Sequence, residues 1–393
     1  ALFMRIIPEI EAFREELITL RRDIHAHPEL AFKEERTSSL VSEFLDSCGF
    51  AVNRGLAKTG VVGTLVRGEG RRVGLRADMD ALPMQEENNF EHKSKEDGKM
   101  HACGHDGHTV MLLAAARYLS EHPDFSGTIN VIFQPAEEAA GGAKVMIEEG
   151  LFEQFPMDAV FGMHNWPGID AGKFAMRPGP MMASLDCFDI SIKGKGAHGA
   201  LPHEGVDPIV IASQVITALQ SIVSRNVDPL RSAVVSVTKV HAGSAHNIIP
   251  ECVELGGGLR CFEPEIREAL KSRIKSIVER VCEGMGAKGS VTFGSGYPAV
   301  INYPEDIILA GKVASDIVGA ENVDIDSEPS MGSEDFAYML EKKPGCYVFI
   351  GNGVGEGSCM VHNPNYDFND DILVLGATYW VRLAQMYLGG QSS

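Results

Sequence analysis

Between Asp186 and Gly296 the order of apolar segments changes, and this change restricts the possible folds more than any other feature of the chain. The pattern there predicts strand Cys187–Ile192, helix Pro208–Val223, strand Ala233–Val240, strand Cys252–Cys261, helix Pro264–Glu283 and strand Ser290–Phe293. That order is β-α-β-β-α-β, the ferredoxin-like split unit. On the N-terminal side, amphipathic helices expected over Ile10–His25, Glu34–Cys48, Thr109–Ser120 and Ala143–Glu149 alternate with short apolar strands. Those strands are Val61–Val66, Val73–Arg76, Thr128–Gln134 and Ala159–Gly162, each bounded by glycine or charged turns. Alternation resumes afterwards with helix Glu305–Val318, strand Cys346–Ile350 and helix Asp371–Leu388. The reading is an α/β chain whose larger domain, 1–185 and 297–393, has a partly parallel, buried sheet flanked by helices. A smaller α+β domain, 186–296, is inserted into it, and 393 residues suffice for both.

Charge narrows the partners. With 35 basic against 54 acidic residues the net charge is −19, which repels nucleic acid and anionic lipid. Uninterrupted apolar runs such as Val110–Ala116 stop well short of the roughly 20 residues that span a bilayer. The N-terminus reaches Glu9 and Glu11 without a signal-like apolar stretch, and Ala1, Leu2 and Phe3 ahead of Met4 read as a cloning remnant. Eight cysteines without a Cys-x-x-Cys motif fit reduced thiols, so a cytoplasmic location is expected.

Chemistry concentrates in a few places. The segment His101-Ala-Cys-Gly-His-Asp-Gly-His108, placed just before a helix, puts imidazole, thiolate and carboxylate groups on one glycine-rich loop. These are the donors that hold Zn2+ or Mn2+. A solvated helix N-terminus is the plainer reading, but the density of ligand atoms favours a metal. Gln134-Pro-Ala-Glu137-Glu138 follows a strand end, where ligand sites collect in open α/β sheets. One of its carboxylates can bind a cation while the other moves a proton, although a helix start would also favour such a pair. His164 and His362 each fall where a strand gives way to loop, and singly either reads as an ordinary loop histidine. Arg76-Ala-Asp78-Met-Asp80 closes a strand with two acids, one of which could orient a ligand imidazole or merely cap a turn.

Taken in order, these motifs resemble the M20 metallopeptidase family, in its amidohydrolase branch of hippurate hydrolases, aminoacylases and indole-acetyl-amino-acid hydrolases. Further anchors are Asp23-Ile-His-Ala-His-Pro-Glu29, Gly162-Met-His164, Gly194-Lys-Gly-Ala-His198-Gly, His246-Asn247-Ile-Ile-Pro250, Gly332-Ser-Glu-Asp335-Phe and His362-Asn-Pro364. The resemblance implies a metallopeptidase-like catalytic domain with a mixed sheet, and a lid and dimerisation role for the inserted domain. It implies Cys103, His105, Glu138, His164 and His362 as ligands of two divalent ions, Zn2+ or Mn2+, with Ni2+ and Co2+ as further candidates. By the same resemblance Glu137 is the acid/base, Asp80 orients a ligand, and His198 serves the partner subunit's site in a homodimer or dimer-based tetramer. Asn247 and Arg260 become substrate-binding residues, Arg260 offering a two-pronged donor for a free carboxylate. Where many relatives carry His-x-Asp and a bridging aspartate, this chain has Asp78-Met-Asp80 and Cys103-x-His105, so the first metal's ligand set stays open.

The implied reaction is hydrolysis of the amide of a small N-acyl-amino acid. Three alternatives stand beside it: a dipeptidase or aminopeptidase with the same metals, a cysteine hydrolase using Cys103, and a noncatalytic ligand-binding protein on the same fold.

Overall fold

The computed structural model describes residues 4–138, 140–355 and 359–389, so the reading of Ala1 to Phe3 falls outside it. Packing divides the chain into two compact units: 1–181 with 301–328 and 335–393, and 182–300 with 329–334.

In the first unit, β1 (Ala51–Arg54), β2 (Val61–Arg67), β3 (Arg72–Asp78), β4 (Gly127–Gln134) and β5 (Ala159–Pro167) belong to an eight-stranded mixed sheet. Its order is β1-β2-β4-β3-β5, then Gly345–Gly353, Phe174–Ala175 and Val323–Asp324. β3 runs parallel to both β4 and β5, and Gly345–Gly353 runs parallel to β5. Strands covered on both faces carry near-continuous apolar runs, as Val131 to Phe133 and Val348 to Ile350 do. The helix His105–Glu121 lies against the sheet and against the helix Leu373–Tyr387, where Met111 packs so closely that any side chain at Gly376 would collide with it.

The second unit is a four-stranded antiparallel sheet ordered Ala233–Ala242, Cys252–Cys261, Ser184–Lys193, Lys288–Phe293. In Ser184–Lys193 the side chains of Phe188, Ile190 and Ile192 are buried while Cys187, Asp189 and Lys193 are exposed, the alternation of a sheet with one covered face. Leu270, Ile274, Val278 and Cys282 recur every fourth position and line the buried stripe of the helix Pro264–Gly284. Chain order is β-α-β-β-α-β, so the fold class is a mixed α/β sheet domain with an inserted ferredoxin-like α+β unit.

Several boundaries differ from the sequence reading, and two bear on the site. The helix expected from Thr109 begins at His105, because Gly104 supplies a left-handed turn (φ +86°) that starts it earlier. β5 continues past Gly162 to Pro167 because Gly345–Gly353 pairs with it along that length, placing His164 within a strand. The helix expected from Ile10 is split into Pro8–Glu11 and Arg14–Ala26. One helix, Pro208–Asn226 with its final turn, does reach the length and composition of a membrane span, at a mean hydropathy of 1.2. Counting only uninterrupted apolar runs overlooks it; Ile211, Val215 and Leu219 on it pack into the core of the second unit.

Candidate metal centre

Three parallel strands deliver their carboxyl ends to one edge of the sheet. Asp78, the last residue of β3, is level with Gln134, the last of β4, and Arg76 is level with Gly162, two residues before His164 in β5. From the end of β4 the chain turns through Pro135 and Ala136 to Glu137 and Glu138. The first turn of the helix His105–Glu121 brings His105 and His108 to the same edge. Gly104 is required there for a second reason: a Cβ would come within 2.1 Å of the Asn165 amide nitrogen.

Cys103, His105 and Glu138 each offer a ligand atom, all within 4.8 Å of one another. Cys103 Sγ lies 3.4 Å from His164 Nε2, and His362 Nε2 lies 3.2 Å from Glu138 Oε1. His362 is held by its own N–H donating to Ala102 O at 2.6 Å, and it adopts a left-handed backbone (φ +66°) uncommon for a residue with a side chain. The structure therefore brings together Cys103, His105, Glu138, His164 and His362, with buried Glu137 beside them in sequence. His105 Nε2 is buried with no hydrogen-bond partner, while its Nδ1–H donates to Asp80 Oδ1 at 3.2 Å. A buried nitrogen that makes no hydrogen bond, 3.4 Å from Asp78 Oδ2 and 3.7 Å from Glu138 Oε1 with thiol and imidazole donors nearby, fits a divalent cation of the Zn2+ type.

Electrostatics point the same way. Burial opposes a charge on His105, yet Asp78, Asp80 and Glu138 outweigh it and raise its pKa to about 10. Burial, together with Glu138, Glu137 and Asp78, pushes the Cys103 thiol well above its ordinary value. Without a cation, protons occupy both groups.

Around these groups lies a set of buried ties that spacing did not reveal. His108 Nδ1–H donates to Asp78 Oδ1 at 2.7 Å, and its Nε2 accepts the Asn165 N–H at 3.0 Å, so both ring nitrogens are engaged. The Asn165 side chain donates to Cys103 O at 2.9 Å and accepts from the Tyr366 hydroxyl at 2.6 Å. His164 Nδ1–H donates to Asn165 O at 2.6 Å. Asp80 has a second contact, accepting the Glu138 N–H at 2.9 Å. Arg76 bonds Gln134 at 2.8 Å and Asp335 at 2.9 Å below the strand ends. Behind the helix start, Arg21 and His25 reach Asp106 at 3.3 and 2.9 Å, placing a paired anion at the positive end of the helix dipole. Burial disfavours charge on His25, but hydrogen bonds to Asp106 and Glu86 raise its pKa to about 9. A helix started at His105 would have put His105 and His108 on one face by their spacing; Asn165 carries no such signal.

The remaining expected residues belong to the second unit. His198 and Ile248 are paired in a short antiparallel ladder, and Gly199 N–H donates to Asn247 O at 2.8 Å, so His198 and Asn247 are neighbours. The Ala200 N–H donates to His198 Nδ1 at 3.0 Å, which leaves Nε2 of the neutral ring carrying the proton. Arg260 Nη1 donates to Met331 O at 2.8 Å.

Residues 74–386 match the model of peptidase family M20/M25/M40. Hippurate hydrolase of Campylobacter jejuni is 44% identical, covering 98% of this chain and 100% of its own. An IAA-amino acid hydrolase of Arabidopsis thaliana, ILR1-like 4, is 41% identical over 96% of this chain and 86% of its own. Among solved structures, a dinuclear metal binding peptidase of the M20 family from Bacillus subtilis superimposes with a TM-score of 0.84 at 36% identity, covering 97% of this chain and 100% of that one. With most of its length matched by that family's pattern, this chain belongs to peptidase family M20/M25/M40.

Proposed function

We propose that the protein hydrolyses the amide bond of small N-acyl-amino acids to a carboxylic acid and a free amino acid. The observation that carries this reading is the convergence of Cys103, His105, Glu138, His164 and His362 beside buried Glu137. The names of its relatives, hippurate hydrolase and IAA-amino acid hydrolase, point to the same class of bond. Those five side chains would hold two divalent cations, Zn2+ or Mn2+ in first place. When bound, the cations supply Lewis acidity, which polarises the acyl carbonyl and eases deprotonation of the attacking water.

The chain's own groups do the rest. Glu137 accepts the proton of the attacking water and returns it to the nitrogen, because an amine cannot leave as an anion. Asp80 fixes the ring of His105 through Nδ1 and the backbone of Glu138 through its N–H. His198, protonated on Nε2, would donate to the oxyanion in the site of a second copy. Asn247 and Arg260 would bind the substrate, Arg260 through its free carboxylate.

A panel assay after loading with Zn2+ or Mn2+ tests the reaction. Hippurate and N-acetyl-amino acids should be turned over roughly 100-fold or more faster than dipeptides with a free amino terminus. The reverse preference would make the protein a dipeptidase, and metal binding with no turnover of either would make it a binding protein.

A homodimer or dimer-based tetramer in the cytoplasm belongs to the same proposal. All eight cysteines are free, as a reducing compartment requires. The strand Ala233–Ala242 is an edge of its sheet, exposes Val234 and Val240, and follows Leu230, which is 91% exposed. Open edges with apolar side chains invite pairing. Light scattering should give at least twice the 42.5 kDa chain mass, and Leu230→Asp with Val240→Lys should shift it to the monomer. A monomeric wild type at tens of micromolar, roughly the working range for weak association, would end this part of the proposal.

A further inference from the structure

We propose that Glu34, which lies outside the ligand set, is a positioning residue for Glu137: its buried carboxylate clamps Ala136 in a left-handed turn and thereby aims the base. This rests on the role assigned to Glu137 above. Ala136 has φ +56°, a conformation that L residues other than glycine adopt rarely because Cβ crowds the backbone. It is wholly buried, so no water can satisfy its peptide groups. Instead its N–H donates to Glu34 Oε2 at 2.8 Å, and its carbonyl accepts the Gly142 N–H at 2.9 Å. The other oxygen of Glu34 accepts from the Thr59 hydroxyl at 3.1 Å.

The turn is anchored at its far end as well. A Cβ on Gly142 would sit 1.8 Å from Pro135 O, and Ala143 N–H donates to Asp335 Oδ2 at 2.9 Å. Beyond Ala136, Glu138 N–H is fixed by Asp80 at 2.9 Å. Glu137 is the residue between the Glu34 clamp and the Asp80 clamp. Glu34 reaches the turn from just ahead of the helix Glu35–Ser47, 102 residues earlier in the chain. Burial and the nearby charge of Asp80 raise its pKa to about 7, so the fold bears the cost of burying this acid at the place where its Oε2 meets the Ala136 N–H. Remove that acceptor and the Ala136 amide is left buried without a partner, so the turn relaxes toward negative φ and carries Glu137 with it.

The test uses the full-length, metal-loaded enzyme. Glu34→Ala should lower kcat on the best wild-type substrate on the order of 100-fold, the loss that small misplacements of a reacting group bring, with KM within about twofold and metal content unchanged. Glu34→Gln retains an acceptor and should keep most of the activity. Adding Ala136→Gly to Glu34→Ala should recover roughly tenfold, because glycine holds the left-handed turn without a clamp. Amide exchange in the peptide around Ala136 should be slow in the wild type and faster in Glu34→Ala. Unchanged kcat in Glu34→Ala, or a loss that the glycine does not relieve, would overturn the clamp. So would a readily exchanging Ala136 amide in the wild type, a measurement that stands even where Glu34→Ala does not fold. If the wild type turned over no acyl-amino acid, the assigned reaction would fail while amide exchange still reported on the clamp.

Discussion

Glu137→Gln is expected to lower kcat by about 1,000-fold or more, with KM and bound metal close to wild type. The magnitude follows from the two duties placed on one group. General base and general acid assistance typically contribute 10²–10⁴-fold, and an amide can neither take the proton of water nor deliver one to the nitrogen. Gln preserves the volume of Glu and its ability to accept hydrogen bonds, so the packing around Glu137, which is 6% exposed, is expected to hold. Metal content distinguishes the assignments within the Glu137-Glu138 pair. Glu138 lies 3.7 Å from His105 Nε2 and 3.2 Å from His362 Nε2, among the proposed ligands, whereas Glu137 is the proposed base. The matching Glu138→Gln variant should therefore lose metal. Stoichiometry by plasma emission together with steady-state kinetics checks both. Retained turnover in Glu137→Gln, or metal lost from it instead of from Glu138→Gln, would remove it from the base role.

The sequence revealed the materials of this site better than its framework. His101 to His108 announced themselves by density, and Glu137 and Glu138 by their place after an apolar strand. His164 and His362 gained meaning only jointly, because a single histidine near a strand end has no spacing to read. What escaped was whatever depends on a distant neighbour. β5 extends through His164 because a strand some 180 residues later pairs with it, a register invisible in the local pattern. The helix starts at His105 because Gly104 takes a left-handed turn, whereas histidine and glycine in its first turn argue locally against helix. Asn165, which joins Cys103, His108 and Tyr366, and Glu34, which reaches Ala136, are single polar residues whose partners lie far away in sequence. The inserted unit was easier, since period-two strands and a period-four helix stripe are local signals, as Leu270, Ile274, Val278 and Cys282 illustrate.

Chelation should abolish activity, and added Zn2+ or Mn2+ should restore it, with Cys103→Ala weakening metal binding by more than about 100-fold. Loss of a residue that only orients a ligand already costs 10–100-fold in affinity, and removal of a ligand atom costs more. The sign of the pH dependence follows from the metal-free charges. Cys103 carries a proton because burial and its acidic neighbours hold the thiol well above its ordinary value, and His105 carries a proton on Nε2 besides the one on Nδ1 because its pKa is raised to about 10. Near neutral pH a cation entering the site must displace both, so affinity falls as pH falls, by up to about 100-fold per pH unit. In Cys103→Ala only the His105 proton remains to be displaced, and the slope should drop to about tenfold per unit. Competition with a chromophoric chelator at several pH values measures this directly. The same protonation argues against Cys103 as a nucleophile, since a buried thiol that holds its proton is a poor attacking group. A cysteine hydrolase would survive chelation and die on alkylation; activity that persisted without metal, paired with inactivation by a thiol reagent, would overturn the metal reading and restore Cys103 to that role.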